Sequence, residues 1–463
     1  VAFGHHFEKG GVFMKRALIF VLLSLFALSS LFAVQTIKLV AWAVGPDDPS
    51  INRKVNLEKA AEMLNTVLEA AGADIRVEVE AYFDSTDWSS YKQRALIAFQ
   101  TKDQQLDIIT SGHDDLGMWA KAGYVRPIDE YIQKYWDLGF NDIFPALWES
   151  TKFGGKIYAV PQDTEARPLW VRKDKLKEMG YTEEEIADMM NKFATGEYTL
   201  YDLVKLGQEA QNAGVVKWGL WHRPKMGVDY FQLFKSFEVP IYDPEAGKLV
   251  FDQEGAKKVF QFIYDLTNTY KVTPKNLIGT EWNNVHKSFA GPEGEVLALM
   301  GGTWNRAEWI NMFGYSDEEI DNMLTFTLTP SAYKGVPGNT LSHPVVYMVT
   351  SKSKYPELAA LLLLFASDPY LNAKHAVESG HLAIRNEELS VPLYAADAFS
   401  KKAAAMLLPQ ASFVPNNDRF NEYNRIIFDA MTGLESGKMT PDFAVKFAAQ
   451  RLKQQLKDDV IIK

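Results

Sequence analysis

The chain predicts an α/β fold, on three observations. Strand-like apolar runs alternate with helix-periodic segments, the passages between them carry Gly, Pro or capping residues, and no long Pro/Gly/Ser linker breaks the series. The first strand is expected at Ile37–Trp42, followed by the Gly45-Pro46 turn. Ser50 is expected to open a helix, because Val55, Ala60, Met63, Leu64, Val67, Leu68 and Ala71 recur at helical spacing, and Gly72 supplies the stop. A strand at Ile75–Ala81, a helix over 88–100 and a strand at Leu106–Thr110 follow. Such alternation argues for a sheet of largely parallel order, in which ligands bind beyond the carboxyl ends of strands. Trp42 and the Ser111–Asp115 segment are expected at those ends.

The same rhythm resumes further on. Phe153–Pro161 reads as a Gly-Gly turn with a strand, Pro168–Val171 and Lys217–Trp221 as strands, and Thr199 as the cap of a helix running through 213. Helices are expected over 254–271, 355–366 and 369–379, and a last one opens with Thr440 as cap and Pro441 in its first turn. The Ala-Leu-Leu-Leu-Leu-Phe run at 360–365 is a helix segment too short to span a bilayer.

Composition narrows the function. The 463 residues are 47% hydrophobic and 23% charged, enough for two or three ordinary domains with a large buried core. Formal charge is −10; residues 1–33 carry three basic residues and one acidic, so the rest of the chain stands at −12. That balance, without any Lys/Arg-rich run, speaks against nucleic-acid binding. The absence of cysteine excludes disulfides, thiolate metal sites, cysteine nucleophiles and lipid attachment through an N-terminal cysteine.

The N-terminus reads as an address. Met14-Lys15-Arg16 precedes the apolar stretch ALIFVLLSLFALSSLFA at 17–33, which predicts a secretory signal peptide cleaved near Ala33, with an uncleaved anchor as the alternative. Residues 1–13 are read as untranslated, with translation starting at Met14 and a disordered leader as the alternative; either way 1–33 are set apart from the fold. The expected location is periplasmic, free of a lipid anchor.

Several segments then carry a resemblance. Leu106-Asp107-Ile108-Ile109, His113-Asp114, Gly117 and Ala120–Ile128 are followed by Phe153–Pro161, Trp170–Asp174, Thr199–Leu203 and Gly301-Gly302-Thr303-Trp304. In this order, behind a signal peptide, they resemble the family 1 extracellular solute-binding proteins of ABC importers over nearly the whole chain after the signal. The resemblance implies a two-lobed periplasmic-binding-protein fold with a central hinge and an interlobe ligand cleft. It would place 34–163 and 330–378 in the N-terminal lobe, and 164–329 with 379–463 in the C-terminal lobe. It also implies a monomeric receptor with no cofactor, whose partners are a small-molecule carbohydrate or polyol and the importer's membrane subunits.

Sugar hydroxyls call for carboxylates, amides and guanidinium groups, and the carbon face of the ring calls for aromatic side chains. The resemblance puts Glu165 at a sugar-binding glutamate, with an exposed crossover residue as the alternative reading. It puts Asp114 at an aspartate that bonds sugar hydroxyls, with a helix N-terminal acid as the alternative. It puts Trp304 at a stacking tryptophan, with core packing as the alternative. Further candidates are Trp42, Asp47, His113, His222, Arg223, Trp282, Asn305, Arg306 and His343, and a lip at Asn416, Asn417, Asp418 and Arg419. Ser111 stands where maltodextrin-binding members carry an aromatic platform, and Arg223 where they carry an acid. Both departures point to a smaller sugar, a cyclitol or other polyol, or a sugar acid.

Two rival classes remain at this level. A secreted glycoside hydrolase needs paired carboxylates about the scissile bond, and Glu165 with Asp114 would supply them. A surface scaffold would bind no small sugar or polyol. His-Glu-x-x-His, Gly-x-Ser-x-Gly and Gly-Lys-Ser/Thr signatures are absent, and the six histidines after Met14 are dispersed, so no metal site is expected.

Overall fold

The computed structural model describes residues 34–45 and 48–463. The expected signal peptide and the candidate Asp47 lie outside the described residues. The chain divides into two compact units, each assembled from separate stretches: 34–164, 344–378 and 383–397 form the first, and 165–343, 379–382 and 398–463 the second.

The first unit is built on a five-stranded sheet, in the order Ile75–Asp84, Gln35–Val44, Ile108–Gly112, Val345–Val349, Ala159–Pro161. The first three strands run parallel, and Val345–Val349 is antiparallel to both of its neighbours. Every residue of Val345–Val349 is buried, the continuous apolar run that an inner strand covered on both faces requires. The Gln35–Val44 strand extends two residues past Trp42, so Trp42 lies within the strand, half-buried and packed on the core, and not beyond its end.

The first long helix is Asn52–Ala70, ended by Gly72 at φ +69°. Ser50 does not cap it: a 3-10 turn, Asp48–Ile51, intervenes, and Ile51 at the cap position brings no side-chain hydrogen bond. The apolar run at 360–365 lies in the helix Pro356–Ala366, buried almost all round. No helix among the described residues is long and apolar enough to cross a membrane.

The second unit carries a four-stranded sheet, in the order Leu324–Thr327, Leu169–Arg172, Val296–Met300, Trp218–Trp221. Here the expected parallel order fails. Only Val296–Met300 and Trp218–Trp221 run parallel, and Leu169–Arg172 is antiparallel to both neighbours. A parallel pair needs a helical crossover, whereas Leu169–Arg172 is entered directly from extended chain at 162–168. A three-stranded sheet pairs Lys248–Phe251 with Tyr242–Asp243 and with the C-terminal strand Val460–Ile462. The helix before that strand, Pro441–Leu456, is capped by Thr440, whose hydroxyl accepts from Phe443 N; such a cap contributes about 1 kcal/mol.

The division differs from the expected one at two stretches. Residues 330–343 belong to the second unit, because Thr329 bridges Asn339, Thr340–Leu341 pairs with Ala411–Ser412, and Leu200 N donates to Ser331 O. Residues 383–397 belong to the first, because Phe144 N donates to Ile384 O and Arg385 Nε to Asp142 Oδ2 at 2.9 Å. Pairings across so many residues leave no local periodicity to read.

Candidate functional site

Each unit presents part of the predicted set. In the first unit, Ser111 is the penultimate residue of the strand Ile108–Gly112, and His113 and Asp114 lie in the turn between that strand and the helix Leu116–Lys121. All three are buried, and His113 N donates to Pro344 O at 3.0 Å. Ser111 Oγ donates to Asp115 Oδ2, which Lys92 also meets at 2.9 Å. Burial raises the Asp115 pKa and the neighbouring Asp114 charge adds to that, while Lys92 opposes.

The second unit assembles a denser arrangement around Arg167. Its Nε donates to Asp229 Oδ1 at 2.8 Å, and its Nη1 is bonded to Glu165 Oε1. Glu165 Oε1 also accepts from His343 N at 2.8 Å. Trp304 lies against the same guanidinium, with the Arg167 Cζ 5.1 Å from the ring. Beyond Asp229, Arg223 Nε stands 3.9 Å from Oδ2, and the Arg223 Cζ is 5.5 Å from the Trp282 ring. Carboxylate, guanidinium, carboxylate and guanidinium therefore follow in a chain, with a tryptophan over each cation.

Local sequence explains how this is held. Arg167 N donates to Leu341 O, its carbonyl accepts from Gln232 Nε2 and Thr340 Oγ1, and Thr303 N donates to Ala166 O. The Gly302-Thr303-Trp304 turn is thereby tied between Glu165 and Arg167. Gly302 is required there, since a Cβ at this position would sit 2.0 Å from the Trp304 ring. Gly227 plays the matching part for the other half, where a Cβ would stand 2.6 Å from Asp229 Oδ2 and 3.1 Å from Arg223 Cδ.

Charge state follows from this packing. Burial pushes the Asp229 carboxyl up, but the Arg167 and Arg223 charges outweigh it and bring its pKa down to about 2. Burial likewise works against the Arg167 cation, and the Glu165 and Asp229 charges raise its pKa in spite of it. Asp229 is thus held as an anion. Arg167 is almost fully enclosed, whereas Arg223 exposes 27% of its side chain and Trp304 and Trp282 are half-buried.

Other predicted residues are engaged elsewhere. His222 Nε2 meets Glu435 Oε2 at 2.8 Å, and Glu435 Oε1 accepts from Ile278 N. Burial disfavours the His222 imidazolium, but Glu435 prevails and raises its pKa. Asn305 Oδ1 accepts from Gly302 N at 2.7 Å, so it shapes the turn that carries Trp304. Arg306 turns to Asp317 and Asp321 and lies over Phe399, 5.1 Å from its ring. Asn417 bonds to Gly247 O and Arg419 N ahead of the helix Phe420–Glu435. Arg167, Asp229 and Glu435 were not among the candidates. The spacing of Glu165 and Arg167, two apart in an extended segment, was the one available signal for Arg167; Asp229 lies in an aperiodic loop.

Residues 43–369 match the family described as bacterial extracellular solute-binding protein. A mannitol-binding protein of Pseudomonas aeruginosa is 26% identical over 89 residues, which is 19% of this chain and 20% of that protein. The chain spans about a fifth of the length of the curated relatives it matches. Among solved structures, the maltose-bound MalE3 of T. maritima aligns with TM-score 0.69 at 20% identity, covering 91% of this chain and 100% of that one. A solute-binding protein of an ABC transporter from Agrobacterium radiobacter K84, in complex with ribitol, aligns with TM-score 0.69 at 18% identity over 91% and 100% of the two chains. At these identities the likeness establishes the fold, the two-lobed α/β architecture of such binding proteins. With the family match covering well over half of its length, the chain belongs to the bacterial extracellular solute-binding protein family.

Proposed function

We propose that this protein is the exported receptor of a carbohydrate ABC importer, capturing a small sugar or polyol and passing it to the importer's membrane subunits, without catalysing a reaction. The observation that carries this reading is the array in the second unit, where Trp304 and Trp282 flank the Glu165–Arg167–Asp229–Arg223 chain. Aromatic faces suit the carbon side of a sugar or polyol, and anchored charged groups make the stronger bonds to its hydroxyls. Relatives named for mannitol and solved with ribitol or maltose support the ligand class.

The ligand set proposed for direct contact is Trp304, Trp282, Arg223, Glu165 and His343, with Asp114 and His113 from the first unit. Binding would bias the hinge equilibrium expected of this family, because a ligand shifts populations only through its differential contacts. Residues 14–33 would deliver the chain to the periplasm as a cleaved signal peptide, and the receptor would act as a monomer.

The hydrolase reading loses ground on electrostatics. A glycosidase acid must hold its proton near neutral pH, whereas Glu165, one of the two carboxylates that reading needs, is ion-paired with the buried Arg167. A screen of mono-, di- and oligosaccharides, polyols and sugar acids tests the proposal. A hundredfold excess of ligand over Kd adds about 2.7 kcal/mol of stability. Stoichiometric retention is expected; turnover of a labelled oligosaccharide would contradict the receptor reading.

A further inference from the structure

A separate cavity of about 270 Å³ lies within the second unit. Three of its lining residues form an aromatic cluster. Trp170 stacks on Phe399 with centroids 6.0 Å apart and 14° between planes, and Phe326 meets Trp170 at 5.3 Å and Phe399 at 5.7 Å. Three others are cations, Lys173, Arg306 and Lys402, against a single lining acid, Asp321. A local excess of positive charge is notable in a chain of net charge −10.

These cations are weakly neutralised. Lys402 has no ion-pair partner among the described residues and rests 4.7 Å from the centre of the Phe326 ring. Arg306 is 8% exposed, and its Nε is buried without an acceptor, although its terminal nitrogens meet Asp317 and Asp321. Those two acids are largely in solvent, with side chains 80% and 64% exposed. Lys173 reaches Glu183 only at 3.5 Å. Partial burial lowers the Lys402 pKa, the Lys173 charge lowers it further, and Asp321 opposes them. An anion placed among these groups would relieve all three of these strains at once.

We propose that this cavity is a second ligand site, for a small carboxylate carried on a flat apolar ring, with Trp170, Phe326 and Phe399 contacting the ring and Lys402, Lys173 and Arg306 the carboxylate. The volume suits one small molecule and is below that of ordinary sites for larger organic ligands, which run from roughly 300 to 1,000 Å³. The aromatic walls favour an aryl acid over a bare oxyanion, which would lose its hydration against three rings. The site is distinct in its residues from the Trp304–Arg167 array, and the inference does not depend on the ligand proposed for that array.

The test is calorimetric titration of the full chain with benzoate, with benzyl alcohol as the neutral ring and inorganic phosphate as the ringless anion. Benzoate is expected to bind with one-to-one stoichiometry, and benzyl alcohol about tenfold or more weakly, since charged hydrogen bonds are the strong ones. Lys402→Met should weaken benzoate by about tenfold and Lys402→Arg should restore it, because both cations satisfy a carboxylate. Trp304→Ala should leave benzoate binding unchanged. Equal binding of the alcohol and the acid, phosphate binding tighter than benzoate, no effect of Lys402→Met, or loss of benzoate in Trp304→Ala would each overturn the proposal. So would an absence of benzoate binding in the unsubstituted chain.

Discussion

Each unit buries an arginine between polar partners, and the two arrangements differ in how far they are closed. In the first unit, Arg53 donates through Nη2 to Asp163 Oδ2 at 2.8 Å, through Nε to Gln162 Oε1 at 3.0 Å and through Nη1 to Val44 O at 2.9 Å. Asp163 Oδ1 accepts from Val345 N, and Tyr347 donates to Arg53 O. The pair is almost wholly enclosed, at 4% and 0% side-chain exposure, and joins the helix Asn52–Ala70 to the middle of its sheet. Arg167 in the second unit is as deeply buried, yet its chain of charges runs on to Arg223 and ends at half-buried tryptophans. A closed network specifies packing; one with an open end offers its last groups to a ligand.

The largest effect should come from breaking the closed network. Arg53→Met leaves Asp163 buried without its cation, and removing one member of such a pair costs about 3–5 kcal/mol. Urea denaturation measures this. Arg167→Met should cost less, about 3 kcal/mol, because Asp229 keeps Arg223 nearby and only Glu165 loses its cation. Equal losses would erase the distinction between the two networks.

Two buried acids, Glu388 in the first unit and Asp229 in the second, titrate with opposite sign. Glu388 in the first unit is fully buried, and burial pushes its pKa up to about 8, while the Ile384 N bond and Arg385 oppose. The folded state therefore binds this proton more tightly than the unfolded chain, whose glutamate titrates at about 4.5. Its contribution is full below that value and is lost as pH rises toward 8. Glu388→Gln should remove this loss, gaining about 4 kcal/mol at pH 8 and little at pH 4. Asp229 behaves oppositely: with its folded pKa at about 2, its contribution is present above 3.8 and is lost as pH falls. Asp229→Asn should abolish about 2 kcal/mol of acid sensitivity in that window, read by denaturation midpoints between pH 5 and pH 2.

The smallest effect on stability belongs to the open end. Trp304→Ala removes a half-buried ring and a cation–π contact worth about 1 kcal/mol, so the thermal midpoint should move by only a few degrees.

What the chain's residues disclosed in advance follows from the range of the interactions. Alternation of local periods was sufficient for an α/β fold, and Thr199, Thr440 and Gly72 marked helix ends because capping is decided within a few residues. The antiparallel entry of Leu169–Arg172 and the membership of 330–343 were hidden, since both depend on partners far along the chain. At the candidate site, Gly302 and Trp304 carried a visible spacing. His222 read as a ligand group because nothing near it in sequence reveals Glu435, 213 residues away. Arg306 stood next to Trp304 and Asn305 in sequence, yet its place on the helix Asn305–Phe313 carries it to Phe399.

The most direct measurement is calorimetric titration of small sugars and polyols, mannitol and ribitol among them, into the unsubstituted protein and Trp304→Ala. One ligand at least should bind with unit stoichiometry, and Trp304→Ala should weaken it by about tenfold or more, as loss of an aromatic contact in a desolvated site does. Binding that is unchanged in Trp304→Ala, or no heat with any member of the set, would contradict the account.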